Sequence, residues 1–260
     1  MPQTIQTLLL AKSLFVLVWL STFFVAERLR PAARPPPEIA AEPARRLVRN
    51  GALWLINSGL SPLAVTPLTL WAAGVALPWR PAWWGGWTGL LADLVLLDLL
   101  IYWWHRANHE LPPLWRFHAV HHLDRFLDTT SAVRFHFGEV LLSALARAAA
   151  ILLLAVPLTS VLAFEALLLA ATIFHHSNLR LPPRLEAALE PLVITPSIHW
   201  VHHHRRRADT DANYGTVLSF WDRLFRTRSA TLRRLDQAIG VEAEAELPLA
   251  GLLVRPFRPV

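Results

Sequence analysis

The chain has 260 residues, of which 54% are hydrophobic and twelve are tryptophan, and its mean hydropathy is +0.36. That is too apolar for a soluble domain of this length, and the absence of cysteine excludes a disulfide framework and any thiolate metal ligand. The net charge of +6 and pI near 11.0 do not indicate a nucleic-acid binder, because the arginines flank apolar runs, where anionic lipid headgroups are the natural partners.

The first apolar run covers residues 8–26 and holds Lys12 within it. No small-x-small cleavage site follows, so an uncleaved anchor is expected rather than a signal peptide. Arg28, Arg30, Arg34, Arg45, Arg46 and Arg49 come next, whereas nothing charged precedes the run; the positive-inside rule therefore puts residues 27–50 in the cytoplasm. Proline-rich residues 31–43 read as a surface connection. Further runs at residues 52–77 and 86–104 approach the ~20 apolar residues a span needs, and Trp79, Trp83, Trp84 and Trp87 between them read as interfacial anchors. The run at 140–174 is long enough for two spans, with a fold-back at residues 157–160, where Pro157 falls. The expected fold is all-α, an integral membrane bundle of four to five helices with a cytoplasmic helical cap. Residues 1–85 form the anchor region, 86–228 the catalytic unit and 229–260 a C-terminal tail.

All twelve histidines lie between His105 and His204. They cluster as His105 and His109; His118, His121 and His122; and His199, His202, His203 and His204, with His136, His175 and His176 between the last two clusters. Residues three and four apart share a helical face, so each cluster can aim imidazoles at one point. The topology above brings every cluster to the cytoplasmic face. Neutral imidazole suits iron, zinc, copper and nickel. A zinc protease would carry His-Glu-x-x-His, but Arg106 follows His105, and the Glu-x-x-His pairs of carboxylate di-iron bundles are missing. A polyhistidine site with room for two metals remains. His204, adjacent to the last cluster, is expected to face solvent. Asp98 and Tyr102 share a helical face with His105 and His109, so Asp98 is expected to accept the free N–H of a liganding imidazole. Asp93 and Glu165, the other acids in apolar runs, either pair helices or approach the site. Asp209, Asp211 and Asn213 are expected to order the loop after the last cluster.

In their order and surroundings these residues resemble the fatty acid hydroxylase and sterol desaturase superfamily of membrane oxygenases, whose pattern is His-x3-His, His-x2-His-His and a later His-x2-His-His. The flanking stretches DLLIYWWHRANH (98–109), LWRFHAVHHLD (114–124), FHHSNLRLP (174–182) and NYGTVLSFWDRLFRT (213–227) carry the resemblance over roughly residues 90–228. It implies a di-iron centre, which zinc can occupy in purified protein, ligated by His105, His109, His118, His121, His122, His199, His202 and His203. It adds His176 in preference to His175, leaves His136 open because Phe137 replaces a usual proline, and puts Asp98, Tyr102, Asn178 and Asp211 behind the ligands. Ala171, where some hydroxylase branches place another ligand, cannot coordinate, which argues against a fatty acid 2-hydroxylase proper. The implied activity is O2-dependent hydroxylation, or desaturation, of a lipid C–H bond in the inner membrane. Electrons would come from a separate ferredoxin, cytochrome b5-like protein or reductase, and no nucleic acid is involved. The alternatives are a zinc-dependent hydrolase or isomerase on the same histidines and a non-enzymatic metal-binding membrane protein.

Overall fold

The computed structural model describes residues 3–258. Among the described residues every regular element is a helix, with two isolated bridges, Val193 to Leu218 and His204 to Ile239, in place of any sheet. Five helices are long and apolar enough to cross a bilayer: α1 (Gln3–Leu29), α2 (Pro43–Gly74), α3 (Gly86–Glu110), α5 (Phe137–Leu154) and α6 (Leu158–His176). Their outward faces carry exposed Leu, Val, Phe and Trp, which suits lipid rather than water. The protein is an integral membrane protein.

Helix α2 is interrupted by a π turn at Ser61–Val65. Pro62 has no N–H to donate and its ring crowds the preceding turn, and the wider turn accommodates both. Helix α3 ends at Glu110, and Leu111 is extended (φ −98°, ψ 113°) because Pro112 follows it. Pro112 then starts α4 (Pro112–His122) with its fixed φ, so two histidine-bearing helices fold against each other almost without a loop. Ala155, left-handed at φ 51°, and Pro157 reverse the chain between α5 and α6. The expected fold-back is present, but it falls at 155–157 instead of 157–160.

Helices α1 and α6 run parallel, since their contacts ascend together. Lys12 pairs with Glu165 (2.6 Å), Trp19 Nε1 donates to the Ala170 carbonyl (3.0 Å), and Asn178 N–H donates to Glu27 (2.9 Å). At the opposite end of the bundle, Trp79 Nε1 and Arg80 donate to the Leu153 and Leu154 carbonyls, and Arg80 forms an ion pair with Asp93. Asp93 and Glu165 thus join helices, the first of the two expected roles. The tryptophan cluster sits at this end with Trp83 73% and Trp87 81% exposed, as interfacial anchors should be. Ala72, Leu97, Ile151, Val161 and Phe164 form the core between spans.

The histidine-rich end is closed by buried polar contacts. Arg46, at the start of α2, donates to Asp124 (2.7 and 2.8 Å) and to Asp128 (2.6 and 3.1 Å), clamping the loop that follows α4. Asp128 also caps the short 3-10 turn Thr129–Val133 through a reciprocal capping box with Ser131. Glu27 accepts from the backbone N–H groups of Thr129 and Asn178. The end of the first span and the ends of the site helices are thereby held in one frame.

Candidate metal centre

Four helical segments deliver the histidines. Helix α3 brings His105 and His109, α4 brings His118, His121 and His122, α6 ends on His175 and His176, and α7 (Pro196–His202), capped by Thr195, brings His199 and His202, with His203 just beyond its end. They meet as two groups. His105, His109, His118, His122 and His202 form one, His121, His176, His199 and His203 the other, and within each group the nitrogens offered lie within 4.8 Å of one another. The nine histidines expected as ligands are the nine that the fold brings together.

Hydrogen bonds to the far ring nitrogens fix the imidazole tautomers. His105 Nδ1 faces the Tyr214 carbonyl at 2.8 Å, His202 Nδ1 the Ala212 carbonyl at 2.7 Å, His121 Nδ1 the Arg134 carbonyl at 3.1 Å, and His176 Nδ1 the Thr172 carbonyl at 2.8 Å. A carbonyl only accepts, so each Nδ1 carries the proton and each Nε2 presents a bare lone pair. His118 Nδ1 is set the same way, 2.8 Å from a Glu139 carboxylate oxygen. Yet His176 Nε2 lies 3.1 Å from His121 Nε2 and 3.0 Å from His199 Nε2, and His203 Nε2 lies 3.1 Å from His199 Nε2. Between His121 and His176 neither nitrogen has a proton to donate, so two lone pairs oppose each other at close range. That is repulsive unless a cation is shared. The spacing suits adjacent positions around an ion with metal–nitrogen bonds of about 2.1 Å. In the first group, both ring nitrogens of His109 and His122 and the Nε2 atoms of His118 and His202 are buried without a hydrogen-bond partner, and a metal would satisfy one nitrogen of each ring.

Burial and mutual repulsion keep the rings neutral. Desolvation first, and neighbouring imidazoles second, hold His121, His122, His199 and His203 well below the usual value of 6.5, and desolvation brings His202 down to about 3. At neutral pH these five rings are uncharged donors, ready for a metal without losing protons first.

Several expected residues do other work. His136 spends both ring nitrogens elsewhere: Nε2–H donates to the Leu253 carbonyl (3.0 Å) and Nδ1 accepts from Gly138 N–H (2.9 Å), capping α5. His175 packs against His199 with ring centroids 4.0 Å apart and the planes tilted by 42°, but belongs to neither group. His204, expected at the surface, is buried. Helix α7 ends at His202, so His204 leaves the helical face and pairs as a bridge with Ile239, its Nδ1 3.4 Å from Asp209. Asp98 does not reach an imidazole. It accepts from the N–H groups of Val217 (3.2 Å) and Leu218 (3.1 Å) and from Trp221 Nε1 (2.8 Å). Together with Asp222, which accepts from Tyr214 and Gly215 N–H (2.7 and 2.9 Å), it holds the loop whose Tyr214 carbonyl orients His105. Gly215 is required there, because a Cβ would lie 2.8 Å from the Asp222 carboxylate. Tyr102 likewise bonds Thr227 (2.8 Å) rather than a histidine. Asn178 pairs with the Ala33 backbone and ties the proline-rich connection to the end of α6. Asp211 comes nearest to its expected place, with Oδ1 3.4 Å from His109 Nδ1 while its other oxygen pairs with Arg207 at 2.6 Å. Asp209 and Asn213 order the loop as expected, accepting from Ser229 and Thr231.

Glu139 was not anticipated as a partner of a histidine. Its signal was an acid in the first turn of an otherwise apolar helix. The carbonyl acceptors of Tyr214, Ala212, Arg134 and Thr172 have no signal in side-chain identity at all.

A cavity of about 230 Å³ adjoins both groups. His105, His118, His121, His176 and His199 form its floor, and Ile101, Trp104, Val140, Leu168 and Leu169 from three spans form its walls.

Fold and site together define an integral membrane protein built around a polyhistidine centre of the make-up that binds metal. The fatty acid hydroxylase family model matches residues 90–227, and the chain belongs to that family. It is 28% identical over 252 residues to an ornithine lipid hydroxylase of Rhizobium tropici, covering 94% of this chain and 75% of that one. It is 35% identical over 151 residues to an alkylglycerol monooxygenase of Danio rerio (58% of this chain, 32% of that one). It is 29% identical over 157 residues to a very-long-chain aldehyde decarbonylase of Oryza sativa subsp. indica (56% and 25%). The chain therefore spans three quarters of the bacterial relative and a third or less of the other two. No solved structure matches it.

Proposed function

We propose that the two histidine groups hold a pair of iron ions and that the protein is an O2-dependent lipid hydroxylase. The observation that carries this reading is that His121 and His176 each have their Nδ1–H tied to a backbone carbonyl while their buried Nε2 lone pairs face each other at 3.1 Å. His105, His109, His118, His122 and His202 would hold one ion, and His121, His176, His199 and His203 the other. Bound there, the metals would supply the oxygen-activating chemistry that functionalises an unactivated C–H bond.

The chain's own residues do the rest. Glu139 and the four carbonyls hold protons on Nδ1, which fixes ring direction and raises the donor strength of Nε2. Ile101, Trp104, Val140, Leu168 and Leu169 exclude water and position an alkyl segment beside the histidines. Because those walls belong to spans, an apolar substrate can enter from the bilayer. Hydroxylation is favoured over desaturation by the relatives' activities, a hydroxylase and a monooxygenase. Electrons would come from a separate ferredoxin, cytochrome b5-like protein or reductase.

The arginine-rich segment after α1 lies at the same end as the histidines, since Arg46 binds the loop after α4. This supports a cytoplasmic site in the inner membrane. All proposed ligands fall within residues 86–228, the catalytic unit, with 1–85 as anchor. The described part of the C-terminal tail, residues 229–258, braces it from behind, through Glu246 on Arg134 and the Leu253 carbonyl on His136.

The test is lipid extraction from cells expressing the protein under 18O2, beside a His121→Ala/His122→Ala variant. Label in a new lipid hydroxyl, absent from the variant, is expected. Histidine-dependent turnover that proceeds without oxygen would instead select the zinc hydrolase or isomerase.

A further inference from the structure

The cavity beside the histidines has a charged far end. Arg147 lines it from α5, on the face that also carries Val140 and Ser143. Arg147 stands ten residues into an 18-residue apolar helix, so it lies within the span. Among the described residues its only ion pair is with Glu165 of α6, Nε to Oε1 at 3.7 Å, longer than a hydrogen bond, and its Nε is buried without an acceptor. Glu165 is already engaged at 2.6 Å by Lys12 of α1. Two cations thus share one carboxylate inside the membrane-spanning region, leaving one positive charge uncompensated and a guanidinium facing the cavity. An ionised side chain there is costly unless it has a partner, and such residues mark substrate pathways.

We propose that Arg147 is the polar terminus of the substrate cavity and binds the carboxylate of a single-chain lipid, with the chain running from it toward the histidines. The inference rests on the oxygenase reading above and adds to it the acidic end of the substrate. One surplus charge matches one carboxylate, whose two oxygens fit the guanidinium fork. Glu139, the residue holding His118, is eight positions earlier on α5, which puts Arg147 about 12 Å along the helix from the metal side. The carbon presented for reaction is therefore well down the chain from the acid group. Glu165 sets the strength of the subsite, because it competes with the ligand for the same guanidinium.

Equilibrium binding of radiolabelled palmitate and of hexadecanol to protein purified in neutral detergent tests this, with metal content measured on the same samples. Wild type should prefer palmitate. Arg147→Gln should weaken palmitate binding about tenfold or more and leave hexadecanol unchanged, with Arg147→Lys in between. Glu165→Gln should tighten palmitate, and it decides the matter if Arg147→Gln does not fold. Equal affinity of wild type for acid and alcohol, undiminished palmitate binding in metal-replete Arg147→Gln, or unchanged or weaker palmitate binding in Glu165→Gln would each overturn the proposal. Failure of the 18O experiment with the palmitate preference intact would instead strike the oxygenase reading alone.

Discussion

Replacing Glu139 by alanine isolates the contribution of one proton-holding contact. Its carboxylate lies 2.8 Å from His118 Nδ1 and is 6% exposed, so the hydrogen bond is buried and charge-assisted. Removing it leaves the His118 Nδ1–H unpaired, frees the ring to turn and withdraws a negative charge that strengthens Nε2 as a donor. Loss of such a partner typically costs about 10- to 100-fold in metal affinity, or roughly 1.4–2.7 kcal/mol. Glutamine keeps an acceptor oxygen but not the charge, and its amide would point where Glu139 Oε2 has no partner, so Glu139→Gln should fall between wild type and alanine. The assay is competitive metal titration against a chelator of known affinity, on protein whose helicity and monodispersity match wild type. Folded Glu139→Ala that holds metal as tightly as wild type would refute the reasoning.

His136→Gln should leave metal content unchanged while lowering thermal stability, because His136 bonds Leu253 and caps α5; loss of a metal ion would make it a ligand after all. Arg46→Met should destabilise the protein by about 3–5 kcal/mol, because buried Asp124 and Asp128 would lose their hydrogen-bonded cation and keep only the more distant Arg134 and Arg28; an unchanged melting temperature in detergent would contradict the clamp. Metal-free protein should lose stability in acid. His121, His122, His199 and His203 are held well below 6.5 when folded, and His202 near 3, so below pH 6.5 the unfolded chain takes up protons that the folded chain refuses. The loss begins near pH 6.5 and grows toward the folded values, by up to about 1.4 kcal/mol per pH unit per histidine. A melting temperature flat between pH 7 and 5 would show that the rings are not buried as described.

The spans were legible because bilayer crossing depends on run length and apolarity, which survive any packing. The π turn at Ser61–Val65 was not, although Pro62 stood in plain view, since a proline dictates relief of a clash without dictating its form. Eight of the nine site histidines were legible because helical spacing puts each cluster on one face, and His176 was legible only through the resemblance to the family. Asp98 shows the limit of that logic. Periodicity correctly put it on the face of His105, but a shared face does not say which loop covers it, and Val217, Leu218 and Trp221 take its oxygens. His204 fails for the related reason that helical spacing was carried past the end of a helix that stops at His202. Four of the five groups that fix the Nδ1 protons are backbone carbonyls; Thr172 supplies its own from one turn earlier in α6, and the other three are brought in by loops and turns that side-chain patterns do not encode.

The most direct test is metal content per chain of detergent-purified protein, beside His109→Ala and His176→Ala, one from each group. The account predicts two metal atoms per chain in the wild type, matching the two groups, and a loss of metal in each variant. No metal in folded wild type after reconstitution with ferrous iron, or full occupancy in both variants, would contradict it.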